Sequence, residues 1–442
     1  MVGRRGAAVL GPLLAAVLML SVVPAAAAKS DAGVTRLVSA GAGGVPAAGQ
    51  SYAPAVSADG RFVAFDSDAS NLVPDDRNDR NDVFVRDRKA GVTTRVSTDS
   101  ASHEADGSSY TPSISGDGRY VAFVSDADNL VPGDTNKATD VFLKDRVTNR
   151  TTRLSVALDD RETTGGSAPQ ISRNGRFVVY SVGTPLRSIG TDEDLAGLFV
   201  YDITTDKRER LGHLEGDDPT ISADGRWVAF SSEIRDLVPG DTNRKADCFV
   251  FDRRTRQVQR VSVGGRRRFP GGWWAGEVQG DGESTGAIIS TDARYVAFVS
   301  SATNLVPGDT NHRDDVFLRD LLTGATRRLS VSQHGEQGGG VSGGPVLSGD
   351  GTVVVFLSQA SNLVAEDPGG HGYDVFRLEL PSGAITQVNV APNGAQPDGE
   401  TSSFPALSDD GRVVVFGTRA PDITGPAAGG HDEIMAREYP KP

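Results

Sequence analysis

The chain of 442 residues has one cysteine, Cys248, which leaves no partner for an internal disulfide and no Cys pair to hold zinc or an iron–sulfur cluster. Aromatic residues are scarce, at 6%. Positive charge is in deficit, because 45 Lys and Arg face 58 Asp and Glu for a net charge of −13 at pH 7. Nucleic-acid affinity rests on cations that neutralise phosphates, so this balance argues against a nucleic-acid partner. After the apolar stretch near the N-terminus no second run reaches the roughly 18 residues that would suggest a membrane span. The phosphate-binding loop, the H-E-x-x-H zinc motif and a Rossmann fingerprint are all missing. Glycine is abundant, with 53 copies beside 23 prolines. That composition leans toward many turns and short strands rather than long helices.

The first 28 residues read as an export signal. Arg4 and Arg5 precede an apolar run from Ala7 to Val23, and the small residues Ala25, Ala26, Ala27 and Ala28 follow. Charged, apolar and small segments in that order define a secretory signal peptide, with cleavage expected after Ala28. Gly6 and Ala7 after the arginine pair match a twin-arginine signal poorly. The expectation is an exported protein, secreted or in the cell envelope, with residues 29–442 forming a single domain.

Internal repetition dominates those residues. The repeated cores are Ser57-Ala-Asp-Gly-Arg-Phe-Val-Ala-Phe65, Ser115-Gly-Asp-Gly-Arg-Tyr-Val-Ala-Phe123, Ser172-Arg-Asn-Gly-Arg-Phe-Val-Val-Tyr180 and Ser222-Ala-Asp-Gly-Arg-Trp-Val-Ala-Phe230. Three more follow, beginning at Ser290, Ser348 and Ser408. The spacing of about 58 residues is that of a supersecondary unit and suits a propeller blade. Each copy reads as four strands. Strand A is short and apolar (Ala53 to Ser57), and Asp-Gly follows as the centre of a two-residue hairpin. Strand B is Arg61 to Ser67, strand C is Asp82 to Asp87 and strand D is Val92 to Ser97, with β-branched and aromatic residues throughout. The fifth copy has Asp292-Ala293 where the others carry glycine, so a different turn is expected there.

The seventh copy stops after strand C, Glu433 to Glu438, while Gly33 to Ser39 near the N-terminus matches a D strand. Joining the two completes the last sheet and removes an exposed edge. The expected fold is therefore an all-β, seven-bladed β-propeller of four-stranded antiparallel blades: a closing strand at 33–39, six whole blades over 51–391 and three strands of the seventh over 401–439. The S-x-D-G-R-[FYW]-V-A-F core, with its downstream Asn-Leu-Val-Pro-Gly-Asp-Thr-Asn and Asp-Val-Phe blocks, resembles the TolB-like, WD-repeat-like β-propeller repeat of secreted bacterial proteins. The resemblance covers nearly all of 33–439 and implies fold rather than activity. TolB itself carries an extra N-terminal α/β domain that this sequence lacks, so its envelope role is not carried over.

In such a ring the B–C loops and the blade-to-blade D–A connections emerge on one face, and the A–B hairpins and C–D turns on the other. Four B–C loops read Asp-x-Asn-x-x-x-Asp: Asp76, Asn78 and Asp82; Asp134, Asn136 and Asp140; Asp241, Asn243 and Asp247; Asp309, Asn311 and Asp315. Two carboxylates and an amide oxygen with loop carbonyls and water would suit calcium. Asp and Asn also cap turns by accepting backbone N–H groups, and this role needs no metal. The D–A connection between copies four and five is a long insertion carrying Arg266, Arg267, Arg268, Trp273 and Trp274. Trp and Arg are enriched at binding hot spots, and loops on a rigid scaffold often carry function. These five are the candidate ligand-binding residues.

Strand-C acids recur in every copy (Asp87, Asp145, Asp202, Asp252, Asp320, Glu379, Glu438), which reads as turn structure rather than catalysis. Gly340-Val-Ser-Gly-Gly344 matches G-x-S-x-G formally but sits in a glycine-rich connector without a following helix, so Ser342 is read as a loop residue. The six histidines share no ligand spacing. No catalytic residue is assigned. The expected function is a non-enzymatic, monomeric propeller presenting an acidic loop face to a protein or glycan, with calcium as a candidate stabilising ion. A propeller-fold carbohydrate-active lyase or hydrolase is the alternative.

Overall fold

A computed structural model describes residues 33–156, 163, 165–183, 196–265, 267–268, 272, 274–275, 277–365, 372–397 and 401–440. The proposed signal peptide lies outside them. Blade 1 consists of strands A (Ser51–Val56), B (Phe62–Ser67), C (Asp82–Asp87) and D (Val92–Arg95), paired antiparallel in that order. Five further blades span 109–153, 166–210, 217–260, 284–328 and 342–387. Blade 7 pairs Thr401–Leu407, Val413–Thr418 and Glu433–Glu438 with the N-terminal strand Val34–Leu37, which takes its D position. Val34 stands opposite Glu438 and Leu37 opposite Met435. The seven-bladed propeller closed by its N-terminal strand is thus as the repeats indicated. A strands of successive blades touch one another and so line the axis.

The core is seven apolar layers, one at each seam between blades. Ala64, Val83 and Val85 of blade 1, for example, pack on Val121, Phe123 and Phe142 of blade 2. The few aromatics are concentrated here. Phe65 and Phe84 pair across strands B and C with ring centroids 5.9 Å apart, and five more blades repeat the pair. Cations on strand C fasten blades 1 and 2 to the exits of their predecessors. Arg86 donates to the Ala40 carbonyl (2.9 Å), and Lys144 donates to the Asp99 carbonyl and the Thr98 hydroxyl (both 2.9 Å).

Two turn readings are corrected. The A–B hairpin is not centred on Asp-Gly. The Gly60 N–H bonds to the Ser57 carbonyl (3.0 Å), which encloses Ala58 and Asp59, and Gly60 follows in the left-handed region at φ +73°. The Ser57 N–H bonds to the Phe62 carbonyl (2.9 Å), so residues 58–61 form a four-residue loop built around that turn. The motif serine fixes it: Ser57 Oγ donates to Asp59 Oδ1 (2.7 Å) and accepts from the Phe62 N–H (2.9 Å). In blade 5 the turn is the same rather than different. Ala293 adopts φ +58°, with Ser290 bonded to Asp292 at 2.6 Å. The serine–aspartate frame is strong enough to hold an alanine where glycine is preferred.

Candidate functional site

The axis is bridged at the hairpin face. The residue after the motif serine is small in five blades (Ala58, Gly116, Ala223, Thr291, Gly349) and large in two (Arg173, Asp409). These residues hydrogen-bond from blade to blade: Asp409 N to Ala58 O (3.0 Å), Ala58 N to Gly116 O (2.9 Å), Gly116 N to Arg173 O (3.0 Å), Gly349 N to Asp409 O (3.0 Å) and Ala223 N to Thr291 O (3.1 Å). Thr291 Oγ1 donates to the Gly349 carbonyl, so six of the seven seams are joined. Arg173 of blade 3 then reaches across. It donates to the carbonyls of Val56 in blade 1 (2.6 Å) and Leu407 in blade 7 (2.8 Å) and ion-pairs with Asp409 (2.8 Å). A side chain touching blades two and three places away must cross the axis. Among the described residues it is thus the hairpin end of the axis that is bridged.

At the loop-face ends of the A strands, Tyr52 donates to Asp432 (3.1 Å), and Tyr110 donates to Asp126 (3.2 Å), which also accepts from Thr139 (2.6 Å). Burial, with the facing carboxylates, raises the pKa of both tyrosines, so they are neutral hydroxyls. Asp217 and Asp218 begin strand A of blade 4 and are exposed. Each A strand is bulged just below this rim. Ala53 and Pro54 stand against the single residue Phe65, with Ala53 at φ +46°, and Thr111, Ala168 and Asp218 repeat the left-handed residue. Backbone strain of this kind in non-glycine residues concentrates at functional sites. The sequence carried no signal for the bulge beyond the recurrent proline, which lacks the N–H a regular ladder needs.

The four Asp-x-Asn-x-x-x-Asp loops do bring their acids together, around an arginine of strand D. Arg95 lies 3.4 Å from Asp76 and 3.3 Å from Asp82, and it also pairs with Glu104. Arg153 lies 2.6 Å from Asp134 and 3.5 Å from Asp140. Arg260 meets Asp247 at 3.1 Å and Asp241 at 3.9 Å, and Arg328 meets Asp309 at 3.4 Å and Asp315 at 3.5 Å. In blades 4 and 5 a glutamine amide, from Gln279 or Gln337, bridges the same two acids at 2.8–3.0 Å. The asparagines face the acids with their amide N–H groups: Asn78 Nδ2 donates to Asp82 (3.1 Å) and Asn136 Nδ2 to Asp140 (2.8 Å), while Asn243 and Asn311 lie 3.5 and 3.3 Å from Asp247 and Asp315. Their Oδ1 atoms accept backbone N–H groups, as Arg80 N does to Asn78 (2.9 Å). The donor set that suited calcium is thus committed to a guanidinium and to capping. Blade 1 is the most acidic of these clusters. Asp76, Asp82 and Glu104 converge within 4.8 Å, and burial with the neighbouring Asp82 raises Asp76 to about 6.

The tryptophan–arginine insertion does not overhang the loop face. Val263–Gly264 pairs with Val278–Gln279, and Arg267–Arg268 forms a hairpin with Trp274–Ala275. Trp274 then pairs with Thr326 and Ala275 with Ala325, so the hairpin extends blade 5 outward to six strands and covers its D edge. Arg268 is exposed on this outer rim. Arg266 and Trp273 lie outside the described residues.

The strand-C acids are structural, as expected. Asp87 pairs with Arg61 (2.6 Å) and accepts the Lys89 and Ala90 N–H groups of the C–D turn, and the Arg61 hydrogen bond holds its carboxyl down at about 2. Ser342 is not in a loop. It opens strand A of blade 6, fully buried, with its hydroxyl 2.8 Å from that of Ser358, so it is no nucleophile. Cys248 is buried and its thiol is pushed up by burial.

No family model matches the chain, and no curated protein does. Among solved structures it is similar to an oligogalacturonate lyase in complex with manganese, with a TM-score of 0.54 at 13% identity over 92% of this chain and 98% of that one. The β-propeller domain of the Trilobed protease from Pyrococcus furiosus, described as having an open velcro topology, matches with a TM-score of 0.51 at 10% identity over 89% and 99%. TolB from Acinetobacter baumannii matches at 0.40 and 13% identity over 82% and 76%. At these identities the shared property is the propeller fold. Among the described residues no helix is long and apolar enough to cross a membrane.

Proposed function

We propose that the chain is an exported, non-enzymatic binding scaffold that receives a protein or glycan at the loop-face mouth of the ring. The observation that carries this reading is the asymmetry of the axis: the hairpin end is bridged by Arg173, while the loop end presents Tyr52, Tyr110 and exposed carboxylates. Tyrosine offers a rigid amphipathic surface with a polar tip. Carboxylates beside it accept hydrogen bonds, so the mouth suits sugar hydroxyls or a basic protein segment. The paired aspartates of the four Asp-x-Asn-x-x-x-Asp loops are held in ion pairs and are part of the scaffold. The test is a glycan array and an envelope-protein pulldown with the native chain and the Y52A/Y110A variant. Loss of capture with an unchanged melting temperature is expected, and undiminished capture refutes the site.

The second reading, a carbohydrate-active lyase or hydrolase, draws on the fold shared with the oligogalacturonate lyase. An acidic mouth repels a uronate polymer, which weighs against the lyase form. New reducing ends or unsaturated products from a polysaccharide panel would establish turnover.

A further inference from the structure

We infer that the hairpin face carries a second site, a cleft at the seam of blades 7 and 1 that binds a small oxyanion of phosphate or sulfate size. The cavity is about 380 Å³. Its walls are the closing strand (Arg36), the end of blade 7 (Arg412, Glu438), the A–B hairpin of blade 1 (Asp59 to Arg61) and the C–D turn of blade 1 (Arg88, Lys89). Five cations thus face two carboxylates on a chain whose net charge is −13.

Three of the cations are already engaged. Arg61 is paired with Asp87, Arg88 with Glu438 at 3.1 Å, and Arg412 with the Tyr439 carbonyl at 3.0 Å. The side chains of Arg36 and Lys89 are exposed and make no hydrogen bond or ion pair among the described residues. The ring itself shows what completes such a cleft. At the seam of blades 3 and 4, Arg253 takes the place of Arg88: both follow the strand-C acid and both donate Nη1 to the hairpin glycine carbonyl, Gly225 or Gly60. There a resident carboxylate, Glu209 of strand D, lies between Arg253 (2.5 Å) and Arg256 (2.7 Å). Glu209 stands opposite Val200, the fourth residue of its strand C, and Arg36 stands opposite Ala436, the fourth of its own. The position that supplies an anion at one seam supplies a cation at the other. Glu438 meets Arg88 here, but among the described residues the Arg36 and Lys89 side chains have no carboxylate between them, and an oxyanion from solution would supply that charge. A free oxyanion held by Arg36 and Lys89, with the Arg88 guanidinium behind them, does what Glu209 does. Guanidinium groups suit oxyanions because their N–H fork matches paired oxygens.

The experiment titrates the chain with inorganic phosphate and, separately, sulfate, by calorimetry and thermal melting against chloride at matched ionic strength. Native protein is expected to bind at least one of them and to melt higher in its presence; the two arms separate phosphate from sulfate chemistry. Arg36→Glu, which places the carboxylate that blade 3 already tolerates, is expected to weaken binding more than tenfold while keeping the fold. Lys89→Ala, on an exposed turn, weakens it severalfold, and Thr94→Glu, at the matching position of the next seam, leaves it unchanged. A native titration no different from chloride overturns the inference, as does an Arg36→Glu protein that binds like the native one.

Discussion

Arg173 Nε and Asp409 Oδ1 are 2.8 Å apart although they belong to blades 3 and 7, and their contact ties opposite sides of the ring across its axis. The two are the only large residues at a position that is otherwise alanine, glycine or threonine. Arg173 also satisfies two strand-end carbonyls, Val56 O and Leu407 O, that face the axis. Replacing it by alanine leaves a carboxylate and two carbonyls without their donor. The expected loss is about 1–3 kcal/mol for such partly buried groups. The floor of the axis opens with it, which hydrogen exchange at the hairpins of blades 1 and 7 would detect as faster exchange. The double variant Arg173→Ala/Asp409→Ala should recover part of the stability, because no unpaired charge remains. A double variant no more stable than the single one would mean that the ion pair contributes nothing.

Much of this molecule was legible because the repeat reports itself seven times. Strand C came out to the residue, Asp82–Asp87 and Glu433–Glu438, since the Asp-Val-Phe block marks its start and a terminal acid its end. The closing strand was found from its likeness to other D strands. What was not legible depends on contacts between distant segments. Trp274 docking on Thr326 is such a contact, and nothing in the insertion's own residues announces it. The hairpin type is not legible from Asp-Gly alone, because the serine two residues before the aspartate fixes the turn through its hydroxyl. Arg173 and Asp409 carry no signal in the repeat's shared pattern, because the floor is built from the two copies that depart from it.

Closure of the ring is expected to weaken as pH rises toward neutrality. Glu433 is fully buried where Glu433–Glu438 meets the closing strand, and it accepts from Ser39. Its counterparts Asp82, Asp140, Asp247 and Asp315 face an arginine, but here Leu37 stands in the place of Arg95. Burial raises Glu433 to about 7, opposed by the hydrogen bonds from Ser39 and the Ala47 N–H. With the folded pKa above the unfolded one, the folded chain binds the extra proton between about 4.5 and 7. Stability from this group is thus fully present below that window and lost as pH rises through it, by on the order of 3 kcal/mol. Melting curves of native protein and Glu433→Gln across pH 5–8, a range that brackets the titration of about 7, should separate progressively up to about pH 7 and keep that gap above it, with the glutamine variant the more stable. Parallel curves would remove Glu433 as the cause.

Arginine at the centre of the four Asp-x-Asn-x-x-x-Asp loops leads to a prediction about calcium. Millimolar calcium or a chelator should leave the melting temperature of the native chain unchanged, because Arg95 and its counterparts already neutralise the acids. Arg95→Met leaves Asp76, Asp82 and Glu104 within 4.8 Å of one another with no cation between them. That uncompensated charge should cost about 3 kcal/mol. Calcium should then restore stability to the variant alone, since carboxylate oxygens are its preferred ligands. Stabilisation of the native chain by calcium would show instead that the loops take the ion beside their arginines.

Ala293 supplies a test of how much the serine–aspartate frame contributes. It is the one hairpin residue of its kind that is not glycine, and it is held at φ +58°. A left-handed conformation costs a residue with a Cβ roughly 1–2 kcal/mol relative to glycine. Ala293→Gly should therefore stabilise blade 5 by about 1 kcal/mol, partly offset by the greater freedom of glycine in the unfolded chain. The reverse change is not symmetrical. In blade 2, a Cβ on Gly118 would lie 2.3 Å from the Phe62 ring of the neighbouring blade, so Gly118→Ala adds a clash at the seam to the backbone strain. Thermal melting of the two variants should give a small gain for Ala293→Gly and a loss larger than that gain for Gly118→Ala. Equal and opposite shifts would mean that the backbone alone decides, and that the seam yields to an extra methyl group without resistance.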